Sequence, residues 1–575
     1  MFDSAAGAAG QSSGTRPRRT RVDAAALTRD LRRYFGITTL RPGQEQVIER
    51  VLAGSDTLAI MPTGAGKSLC YQLPALYLAG PTVVVSPLIA LMKDQADALA
   101  QAGIAVAQLN SSFGDAELKA TLDDIGQRRA RLVFVTPERL GDSDALAVLR
   151  KAGVARFVVD EAHCISQWGH DFRPSYLELR PALAALGDPP ILALTATATE
   201  AVTRDIIEQL GRRQMAVVQT SMYRANLHYR VEHITNDAQR VAQVVDLVRR
   251  GKGAGIVYAA TIGTVDALHA ALRADGIDAR RYHGKLGNRE RSESQEAFMA
   301  GAVRVMVATN AFGLGVDKAD IRYIVHAQVP GSLEAYYQES GRGGRDGLPA
   351  ACTLLYDLRD RRVQQFFLVR RYPDAAQIDA VQRALGTFAP NRAVAFADLR
   401  RALPAIAATK IKVACKLLAD AGAVRRLPGG ALRATGAWLD ADRIEQLAGR
   451  YADKATLDRE KLERMVFYAQ TRICRWKVLL EYFGDALPGD RCGTCDNCRR
   501  AARGERPAAI SPLRQAATST RRADYREGER VRVPRYGQGT VRTVAGNEIT
   551  VDFVNGDTRT FLRSYVRRER AAAQA

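Results

Sequence analysis

The sequence predicts an α/β protein with two parallel-sheet lobes in tandem, followed by smaller modules. The first observation is that short runs rich in Val, Ile and Leu alternate with helix-like segments over residues 23–222, as in DTLAI, TVVV, RLVFV, ARFVV and PILAL. The second is that this alternation returns over residues 223–372, as in GIVYA, VRVMVA, IRYIVHA and ACTLLY. Apolar runs without strict polar alternation are typical of parallel strands covered on both faces. Ligands of such sheets bind beyond the carboxyl ends of the strands.

Composition and charge narrow the function. The 575 residues carry a formal net charge of +21, with 83 Lys and Arg against 62 Asp and Glu. This excess favours a polyanionic partner such as nucleic acid, with an arginine-rich genome as the alternative explanation. No apolar run approaches the roughly 18 residues that a membrane-spanning helix needs. Residues 1–22 contain arginines and no apolar segment, so we interpret them as a disordered basic arm and not as a secretory signal.

A glycine-rich turn follows the first predicted strand. Residues 61–68 read MPTGAGKS and lead into the helix-like LCYQLPAL. Backbone N–H groups of such a turn approach phosphates closely, and the helix dipole favours negative charge there. The pattern predicts a nucleotide site in which Lys67 neutralises the β- and γ-phosphates and Ser68 binds Mg²⁺. The residues expected to line it are Thr63, Gly64, Gly66, Lys67 and Ser68.

Two carboxylates end another predicted strand of the first lobe, in FVVDEAH. Asp160 is placed to hold the Mg²⁺ that bridges phosphate oxygens, and Glu161 then faces the attacking water. The loop that follows offers flat surfaces and a cation suited to the bases and phosphates of a single strand. Its candidate DNA-contacting residues are Trp168, His170, Phe172 and Arg173. The alternative is that the two aromatic rings fill the core of the lobe.

Four of the eight cysteines cluster between residues 474 and 498. One helix-borne cysteine is followed by C-x₂-C-x₂-C, a spacing that allows four thiolates to converge on Zn²⁺. The predicted ligands, within a helical zinc-binding module at residues 450–500, are Cys474, Cys492, Cys495 and Cys498. An iron–sulfur cluster is the alternative, because its ligands are also four cysteines. The remaining cysteines are scattered, as expected for reduced thiols in the cytosol.

Residues 373–449, between the second lobe and the cysteine cluster, have the pattern of a winged helix. Ile411, Cys415 and Leu418 fall on one face of a predicted helix. The same periodicity places three lysines off that face: Lys410, Lys412 and Lys416. The stretch VRRLPGGALRA after this helix predicts a β-hairpin wing. A DNA-binding role and a structural spacer both remain open for this module.

The end of the chain predicts a linker and a small β-rich module. Residues 501–525 are basic and rich in Pro, Ser and Ala, which is typical of a linker. Residues 526–570 show short alternating strands around AGNE and VNGD turns, which predict a small β-barrel. Its expected inward-facing residues are Val531, Val533, Ile549, Val551 and Phe553. Its basic residues leave DNA and a protein open as docking partners: Arg532, Arg535, Arg542, Arg559, Arg567 and Arg568.

The motifs of the two lobes resemble those of superfamily 2 helicases, in the same order. The matching stretches between residues 31 and 357 are SPLIALMKDQ, TPERL, TATAT, ATNAFGLGVDK and QESGRGGRDG. The upstream stretch LRRYFGITTLRPGQEQVI and the aromatic loop narrow the resemblance to the RecQ family of DNA helicases. This resemblance implies two RecA-like lobes, with ATP, Mg²⁺ and Zn²⁺ as ligands. It also implies movement along single-stranded DNA in the 3′ to 5′ direction.

The resemblance implies roles for single residues as well. Arg41 and Gln44 hold the adenine base, the amide of Gln44 through two hydrogen bonds. Arg345 is the arginine finger that stabilises charge spreading over the γ-phosphate, and Arg342 is a neighbouring phosphate or coupling contact. The aromatic loop couples DNA contact to hydrolysis. This chain departs from the family at Ile37, where an aromatic residue is common.

The expected function is an ATP-dependent DNA helicase that acts on single-stranded and branched DNA in recombination, repair or replication restart. Its expected location is the cytoplasm, associated with the nucleoid. Two alternatives are an RNA or hybrid-duplex helicase and a DNA-binding scaffold with weak ATPase. The winged-helix-like module departs from the usual family layout, in which it follows the zinc module. Residues 526–570 resemble the Tudor-like module of UvrD and PcrA helicases, which suggests RNA polymerase as a protein partner.

Overall fold

The computed structural model describes residues 23–110, 115–166, 169, 173, 175–176, 179–313, 316–369, 372–388, 392–427, 431–504, 525–533, 536–545, 548–553, 556–562 and 566–568. The predicted basic arm and most of the predicted linker lie outside these residues. The chain divides into two compact units, Met1–Arg503 and Gly504–Ala575. Within the described residues, no helix combines the length and apolar character needed to cross a membrane.

The first lobe surrounds a seven-stranded parallel sheet in the order β3-β4-β2-β5-β6-β1-β7. Its strands are β1 (Thr57–Ile60), β2 (Thr82–Val85), β3 (Val106–Leu109), β4 (Leu132–Val135), β5 (Arg156–Val159), β6 (Ile191–Thr195) and β7 (Ala216–Gln219). Its helices are α1 (Ala24–Phe35), α2 (Gln44–Leu52), α3 (Leu69–Ala75), α4 (Ile89–Gln101), α5 (Asp115–Gly126), α6 (Ser143–Ala152), α7 (Leu179–Ala185) and α8 (Glu200–Gln209). Short 3₁₀ turns lie at Pro137–Gly141 and Ala162–Cys164.

The inner strands of this sheet are buried on both faces. Successive residues of a strand point to opposite sides, so a continuous apolar run fills two cores. Leu58 and Ile60 of β1 belong to one hydrophobic cluster, whereas Ala59 and Met61 belong to another. The interpretation of the apolar runs as buried parallel strands is therefore confirmed.

The second lobe contains a six-stranded parallel sheet in the order β10-β11-β9-β12-β13-β8. Its strands are β8 (Leu227–His233), β9 (Ala254–Tyr258), β10 (Ala279–Tyr282), β11 (Val305–Ala308), β12 (Ile321–His326) and β13 (Ala350–Tyr356). Its helices are α9 (Asp237–Arg250), α10 (Ile262–Ala274), α11 (Asn288–Met299), α12 (Leu333–Ser340) and α13 (Asp360–Val369). The two tandem sheets confirm the predicted fold class of the lobes.

Four strands of these sheets were not among the apolar runs that the sequence analysis identified: β3, β7, β8 and β10. All four are edge strands, at the two ends of each sheet order. Burial alternates along β3 and β8, and β7 and β10 each contain exposed residues. An edge strand has one neighbour and less cover, so β3, β8 and β10 carry polar residues between their apolar ones, whereas β7 has an apolar run, MAVV, that the sequence analysis did not identify.

The module that follows the second lobe has the helices and hairpin of a winged helix. Its elements are α14 (Ala375–Gly386), α15 (Phe396–Ala402), α16 (Ala408–Asp420), β14 (Val424–Arg426) and β15 (Leu432–Ala434), the two strands pairing antiparallel. Ile411, Cys415 and Leu418 are buried together, as predicted. Lys416, placed off that face by the periodicity, is also buried, at 9% exposure, and its ammonium group lies 3.7 Å from a carboxylate oxygen of Asp420.

Three helices form the zinc-binding region: α17 (Ala441–Gln470), α18 (Arg475–Tyr482) and α19 (Asp496–Ala502). α17 runs without a break through the predicted boundary between residues 449 and 450. Its Ile444 packs in the winged-helix core, whereas its Met465 packs in a core shared with the second lobe. One helix therefore belongs to both modules.

The zinc-binding region and the second lobe share one hydrophobic core. The indole of Trp476 is fully buried and donates a hydrogen bond from Nε1 to the carbonyl oxygen of Leu227 at 3.1 Å. Its ring packs edge-on against Tyr229 at 5.0 Å between centroids. Asp485 accepts hydrogen bonds from the backbone N–H of Met222 at 2.7 Å and from the hydroxyl of Ser221 at 3.0 Å. The region is part of the folded body of the second lobe and not an appended finger.

The second unit contains a five-stranded antiparallel sheet in the order β19-β18-β17-β16-β20. Its strands are β16 (Arg530–Val533), β17 (Gly537–Ala545), β18 (Glu548–Phe553), β19 (Thr558–Leu562) and β20 (Arg567–Arg568). The five residues predicted to face inward are all buried, which confirms that expectation: Val531, Val533, Ile549, Val551 and Phe553.

Candidate active site and zinc cluster

The glycine-rich turn of residues 61–68 connects β1 to α3 at the carboxyl edge of the first sheet. Gly64 and Gly66 have φ angles of +85° and +74°, in the region that favours glycine. A Cβ atom on Gly66 would lie 2.6 Å from Nε2 of Gln44, so a side chain there would displace the Gln44 amide from the loop. The turn thus exposes backbone N–H groups before a helix, as a phosphate-binding loop requires.

Lys67 lies where the first lobe's charged groups converge. Its Nζ donates hydrogen bonds to the carbonyl oxygens of Met61 at 3.2 Å and Pro62 at 3.5 Å. Burial lowers the pKa of Lys67, while the carboxylates of Glu161 and Asp160 raise it. The ammonium group is therefore close to both acids of the predicted site.

Ser68 is held by a chain of hydrogen bonds that the sequence analysis did not identify. Nε2 of Gln95 donates to Oγ of Ser68 at 3.1 Å, and the hydroxyl of Tyr71 donates to Oε1 of Gln95 at 2.6 Å. Gln95 is the last residue of the stretch SPLIALMKDQ. The sequence analysis identified this stretch as a motif but assigned no role to Gln95. These two hydrogen bonds set the position of the Ser68 hydroxyl oxygen, which is predicted to bind Mg²⁺.

Asp160 and Glu161 follow β5 directly. Asp160 is 8% exposed, and burial, together with the neighbouring Glu161, raises its pKa to about 7 although Lys67 acts in the opposite direction. Glu161 has a φ of +49°, which is uncommon for a residue with a side chain and stores strain at this turn. Its N–H donates to Oδ1 of Asp160 at 3.0 Å. The Asp160 carboxylate beside the phosphate-binding loop offers the oxygen ligand that Mg²⁺ prefers.

A buried histidine ties these acids to the neighbouring strand. His163 is 1% exposed, and its Nδ1 lies 3.1 Å from Oγ1 of Thr195 and 3.3 Å from Oε2 of Glu161. Thr195 ends β6 and accepts a backbone hydrogen bond from Met61 at 3.0 Å. The acidic turn and the phosphate-binding loop are thus connected through β6.

The second lobe brings an arginine to the same place. Residues 341–345, which follow α12, are called the arginine loop below. The Cγ atom of Arg345 would lie 3.3 Å from a Cβ atom on Gly64, so the arginine side chain packs on the phosphate-binding loop. Its guanidinium pairs with Asp317, and burial lowers the pKa of Arg345. The cleft between the lobes therefore holds Lys67, both acids and Arg345.

Arg224, which the sequence analysis missed, bridges the two loops. Its Nη1 donates to the carbonyl oxygens of Gly341 at 2.7 Å and Thr63 at 3.4 Å. Its Nη2 donates to the carbonyl oxygens of Gly343 at 2.7 Å and Gly344 at 2.6 Å. The sequence contains an Arg and an Asn in RAN at the junction of the lobes, and neither was assigned a role. Only the folded chain shows which carbonyls they bind.

Arg342 and Arg173 line a different cavity from Arg345. This cleft has a volume of about 540 Å³ and is also lined by Asn310, Gln338 and Glu339. Arg342 is 5% exposed, and Nη1 of Arg173 donates to the carbonyl oxygen of Pro87 at 3.0 Å. The predicted residues Trp168, His170 and Phe172 lie outside the described residues.

The two residues expected to hold adenine bind the phosphate-binding loop in this structure. Nε2 of Gln44 donates to the carbonyl oxygens of Ala65 at 3.0 Å and Gly66 at 2.9 Å, and its Oε1 accepts from the N–H of Arg41 at 2.7 Å. The guanidinium of Arg41 donates to the carbonyl oxygen of Gly64. Both N–H groups of the Gln44 amide are engaged by the protein, so an adenine contact through them requires an exchange of hydrogen bonds.

The four predicted zinc ligands converge at one point. The sulfur atoms of Cys474, Cys492, Cys495 and Cys498 all lie within 4.8 Å of one another. The Sγ atoms of Cys492 and Cys498 are 3.9 Å apart, close to the spacing of roughly 3.8 Å that Zn–S bonds of about 2.3 Å impose on a tetrahedron. Backbone N–H groups of Cys495 and Cys498 point at neighbouring sulfurs at 3.4 Å, as they do towards thiolates. The donor set fits Zn²⁺.

Two parallel-sheet lobes, a phosphate-binding loop with its acids, and arginines from the facing lobe define a helicase core of the DEAD/DEAH-box class. Family models match accordingly: the DEAD/DEAH box helicase at residues 41–206, the helicase conserved C-terminal domain at 239–347, and the RecQ zinc-binding domain at 438–499. The chain belongs to the RecQ family of ATP-dependent DNA helicases, because relatives of that name match most of its length.

Two relatives and one solved structure illustrate the similarity. The chain is 38% identical over 470 residues to the ATP-dependent DNA helicase RecQ of Bacillus subtilis, covering 81% of this chain and 66% of that protein, just under two thirds of its length. It is 35% identical over 496 residues to RecQ of Synechocystis, covering 83% and 99%. The DUF1998 helicase MrfA bound to DNA superposes with a TM-score of 0.50 at 20% identity, covering 74% of this chain and 61% of that one, which indicates a shared fold alone.

Proposed function

We propose that the chain hydrolyses ATP in the cleft between its lobes and uses the cycle to move 3′ to 5′ on single-stranded DNA and to unwind duplexes. The observation that carries this proposal is the contact of Arg345, from the second lobe, with the phosphate-binding loop of the first. A cleft that needs groups from both lobes closes around ATP and opens after hydrolysis. Closing and opening are then available to ratchet the chain along a strand.

In this proposal the first lobe binds and orients ATP. Lys67 neutralises the β- and γ-phosphates. The loop residues Thr63, Gly64 and Gly66 direct backbone N–H groups at the phosphates. Ser68 and Asp160 would hold Mg²⁺, which when bound neutralises charge on the phosphate oxygens. Glu161 orients the attacking water and receives its proton. The electrostatic influence of both acids on the pKa of Lys67 and of Lys67 on the pKa of Asp160, and the position of both acids at the end of β5 beside the loop, support these roles.

The second lobe completes the site. Arg345 stabilises the charge that spreads over the γ-phosphate as the bond breaks, because a guanidinium stays charged and offers paired donors. Arg224 holds the arginine loop in register with Thr63. Arg342 and Arg173 line one cleft, which supports a coupling role between bound DNA and the site, together with the aromatic loop of Trp168, His170 and Phe172. Arg41 and Gln44 recognise adenine after releasing the phosphate-binding loop.

The zinc cluster acts structurally in this proposal. Cys474, Cys492, Cys495 and Cys498 would hold Zn²⁺ with four protein sulfurs, a ligand number typical of structural sites. The core that the cluster region shares with the second lobe supports this role.

We further propose that the winged-helix module grips duplex DNA. Arg425 and Arg433 lie directly opposite each other on the hairpin, an arrangement that is destabilising between like charges until an anion binds. Several acids of the module are used elsewhere: Asp374 and Asp440 cap helices, and Asp398 pairs with Arg401 at 2.7 Å. Arg425 is exposed and Arg433 is half-buried, so the hairpin offers a basic edge to a phosphate backbone.

The second unit, in this proposal, docks a protein such as RNA polymerase in the cytoplasm near the nucleoid. Its small buried core leaves no room for a catalytic site. Deleting residues after 517 should leave fork unwinding intact and remove that partner in pull-downs with purified polymerase. Loss of fork unwinding in the truncated chain would make the unit part of the DNA machinery instead.

The deciding experiment compares ATP hydrolysis and strand separation on matched DNA and RNA substrates. We expect single-stranded DNA to stimulate hydrolysis strongly, and forked DNA with a 3′ tail to be unwound. Equal stimulation by RNA would favour the RNA or hybrid helicase. Binding without stimulated hydrolysis would favour the scaffold.

A further inference from the structure

The helix that leads into the arginine loop rests on the zinc-binding region. Tyr337 of α12 packs against Phe483 at 5.2 Å between ring centroids, and Tyr336 packs against Tyr468 at 5.1 Å. The hydroxyl of Tyr337 donates to the carbonyl oxygen of Met222 at 2.7 Å. The position of α12, and of the loop that continues from it, is therefore set against residues that are distant in sequence.

One charged contact is buried within this apolar surface. Glu334 of α12 is 4% exposed, and its Oε1 accepts a hydrogen bond from the hydroxyl of Tyr482 at 2.6 Å. The same oxygen lies 3.1 Å from Nζ of Lys461. Lys461 belongs to α17 and Tyr482 to α18. A carboxylate loses much hydration on burial, so it is tolerated only where its partners are in place.

We propose that Glu334, Lys461 and Tyr482 are positioning residues for the arginine finger. Packed aromatic rings allow a helix to shift slightly along its axis relative to its neighbours. A hydrogen-bonded carboxylate allows less movement, because hydrogen bonds tolerate only a narrow range of distance and angle. Glu334 therefore sets the position of α12 along its axis and, through the arginine loop, the distance from Arg345 to the phosphate-binding loop. A misplacement of about 1 Å can cost about 10²-fold in rate. This inference rests on the proposed role of Arg345.

Two conservative substitutions test the contact. Tyr482→Phe removes one hydroxyl and keeps the ring, and Glu334→Gln removes the charge and keeps the size. Each should lower kcat of DNA-stimulated ATP hydrolysis about tenfold, with KM for ATP changed less than about twofold, because the first lobe still binds the nucleotide. The zinc content should remain that of the unsubstituted protein. An unchanged kcat in both variants would overturn the proposal.

Glu463→Gln is the matched control. Glu463 also lies on α17 and pairs with Arg361 of α13 at 2.5 Å, so its substitution breaks an ion pair of the same helix that does not involve α12. We expect its kcat to stay within about twofold of the unsubstituted protein. A loss as large as that of Tyr482→Phe would show that any weakening of α17 suffices and would overturn the specific role of Glu334.

A double variant distinguishes positioning from loss of folded protein. In an Arg345→Ala background the group being positioned is absent, so Tyr482→Phe should lower the residual kcat no further. A second fall by the same factor would refute the positioning role alone. Full activity in Arg345→Ala itself would refute the proposed role of Arg345, and the inference with it.

Discussion

The phosphate-binding loop and the arginine loop meet in one cleft but are held in different ways. The phosphate-binding loop lies between β1 and α3, which are consecutive in the chain, and Lys67 bonds to carbonyls of its own loop. The arginine loop depends on Arg224, more than a hundred residues earlier, and on helices beyond residue 440. A motif can therefore identify both loops, but the first is supported mainly within its own lobe, by its own Lys67 and by Arg41 and Gln44 at 21–23 residues upstream. The second is positioned by the tertiary structure.

Loss of the zinc site should have the largest effect of the changes considered, and it should destabilise the second lobe. Cys495 is fully buried in the core that both regions share. Because the binding energy of a structural zinc is folding energy, Cys495→Ser should lower the free energy of unfolding by about 4 kcal/mol or more. Hydrogen exchange should show lost protection in β8 and α12, and less change in β1 and β5. An equal loss of exchange protection in both lobes would contradict the view that only the arginine loop depends on the zinc-binding region.

Lys67→Ala should affect chemistry without affecting the second lobe. Removing the ammonium group that faces the phosphates should lower kcat for ATP hydrolysis about 10²–10³-fold. Zinc content and the exchange protection of α12 should not change. Lys93→Ala, at an exposed position of α4, is the control and should hydrolyse ATP normally. Near-normal turnover in Lys67→Ala would remove this residue from the site.

Arg224→Ala should show that the arginine loop needs a distant support. The substitution removes hydrogen bonds to four carbonyl oxygens, so the loop loses register and kcat should fall about 10–100-fold. Arg224→Lys keeps the charge without the planar fork and should recover only part of the rate. Arg230→Ala, whose exposed side chain pairs with Glu232, is the matched control. Full activity in Arg224→Ala would show that the arginine loop keeps its conformation without Arg224.

The smallest expected effect concerns the winged-helix hairpin. Replacing Arg425 and Arg433 together by Ala should weaken duplex binding and reduce the slope of log affinity against log salt by roughly 2, since each phosphate contact contributes about 0.9. Stimulated ATP hydrolysis should be unchanged. Arg383→Ala, in the same module but paired with Asp379, should leave the slope unaltered. An unchanged slope in the double variant would favour the structural spacer.

Sequence patterns predicted the inner strands of both sheets and not the edge strands. Inner strands such as β1 and β5 are buried along their whole length and appear as apolar runs. Edge strands such as β7 and β10 contain exposed residues, and β10 carries two arginines that interrupt its apolar pattern. Lys416 shows a similar difficulty in a helix, since a charged residue off the apolar face is nevertheless buried beside Asp420.

The sequence by itself determined the parts of the site whose spacing is local: the phosphate-binding loop, the two acids after β5 and the four cysteines that converge within 4.8 Å. The residues of the loop, the two acids and Cys492, Cys495 and Cys498 lie a few residues apart within their own segments, so local backbone geometry brings each group together, whereas Cys474 joins its cluster from 18 residues upstream across α18. Only the tertiary structure decided that Arg345 lies on Gly64, that Arg224 bridges the loops, and that Glu334 meets Lys461 and Tyr482. Those contacts join segments separated by tens to hundreds of residues, and their distances follow from how the lobes and helices pack around shared cores.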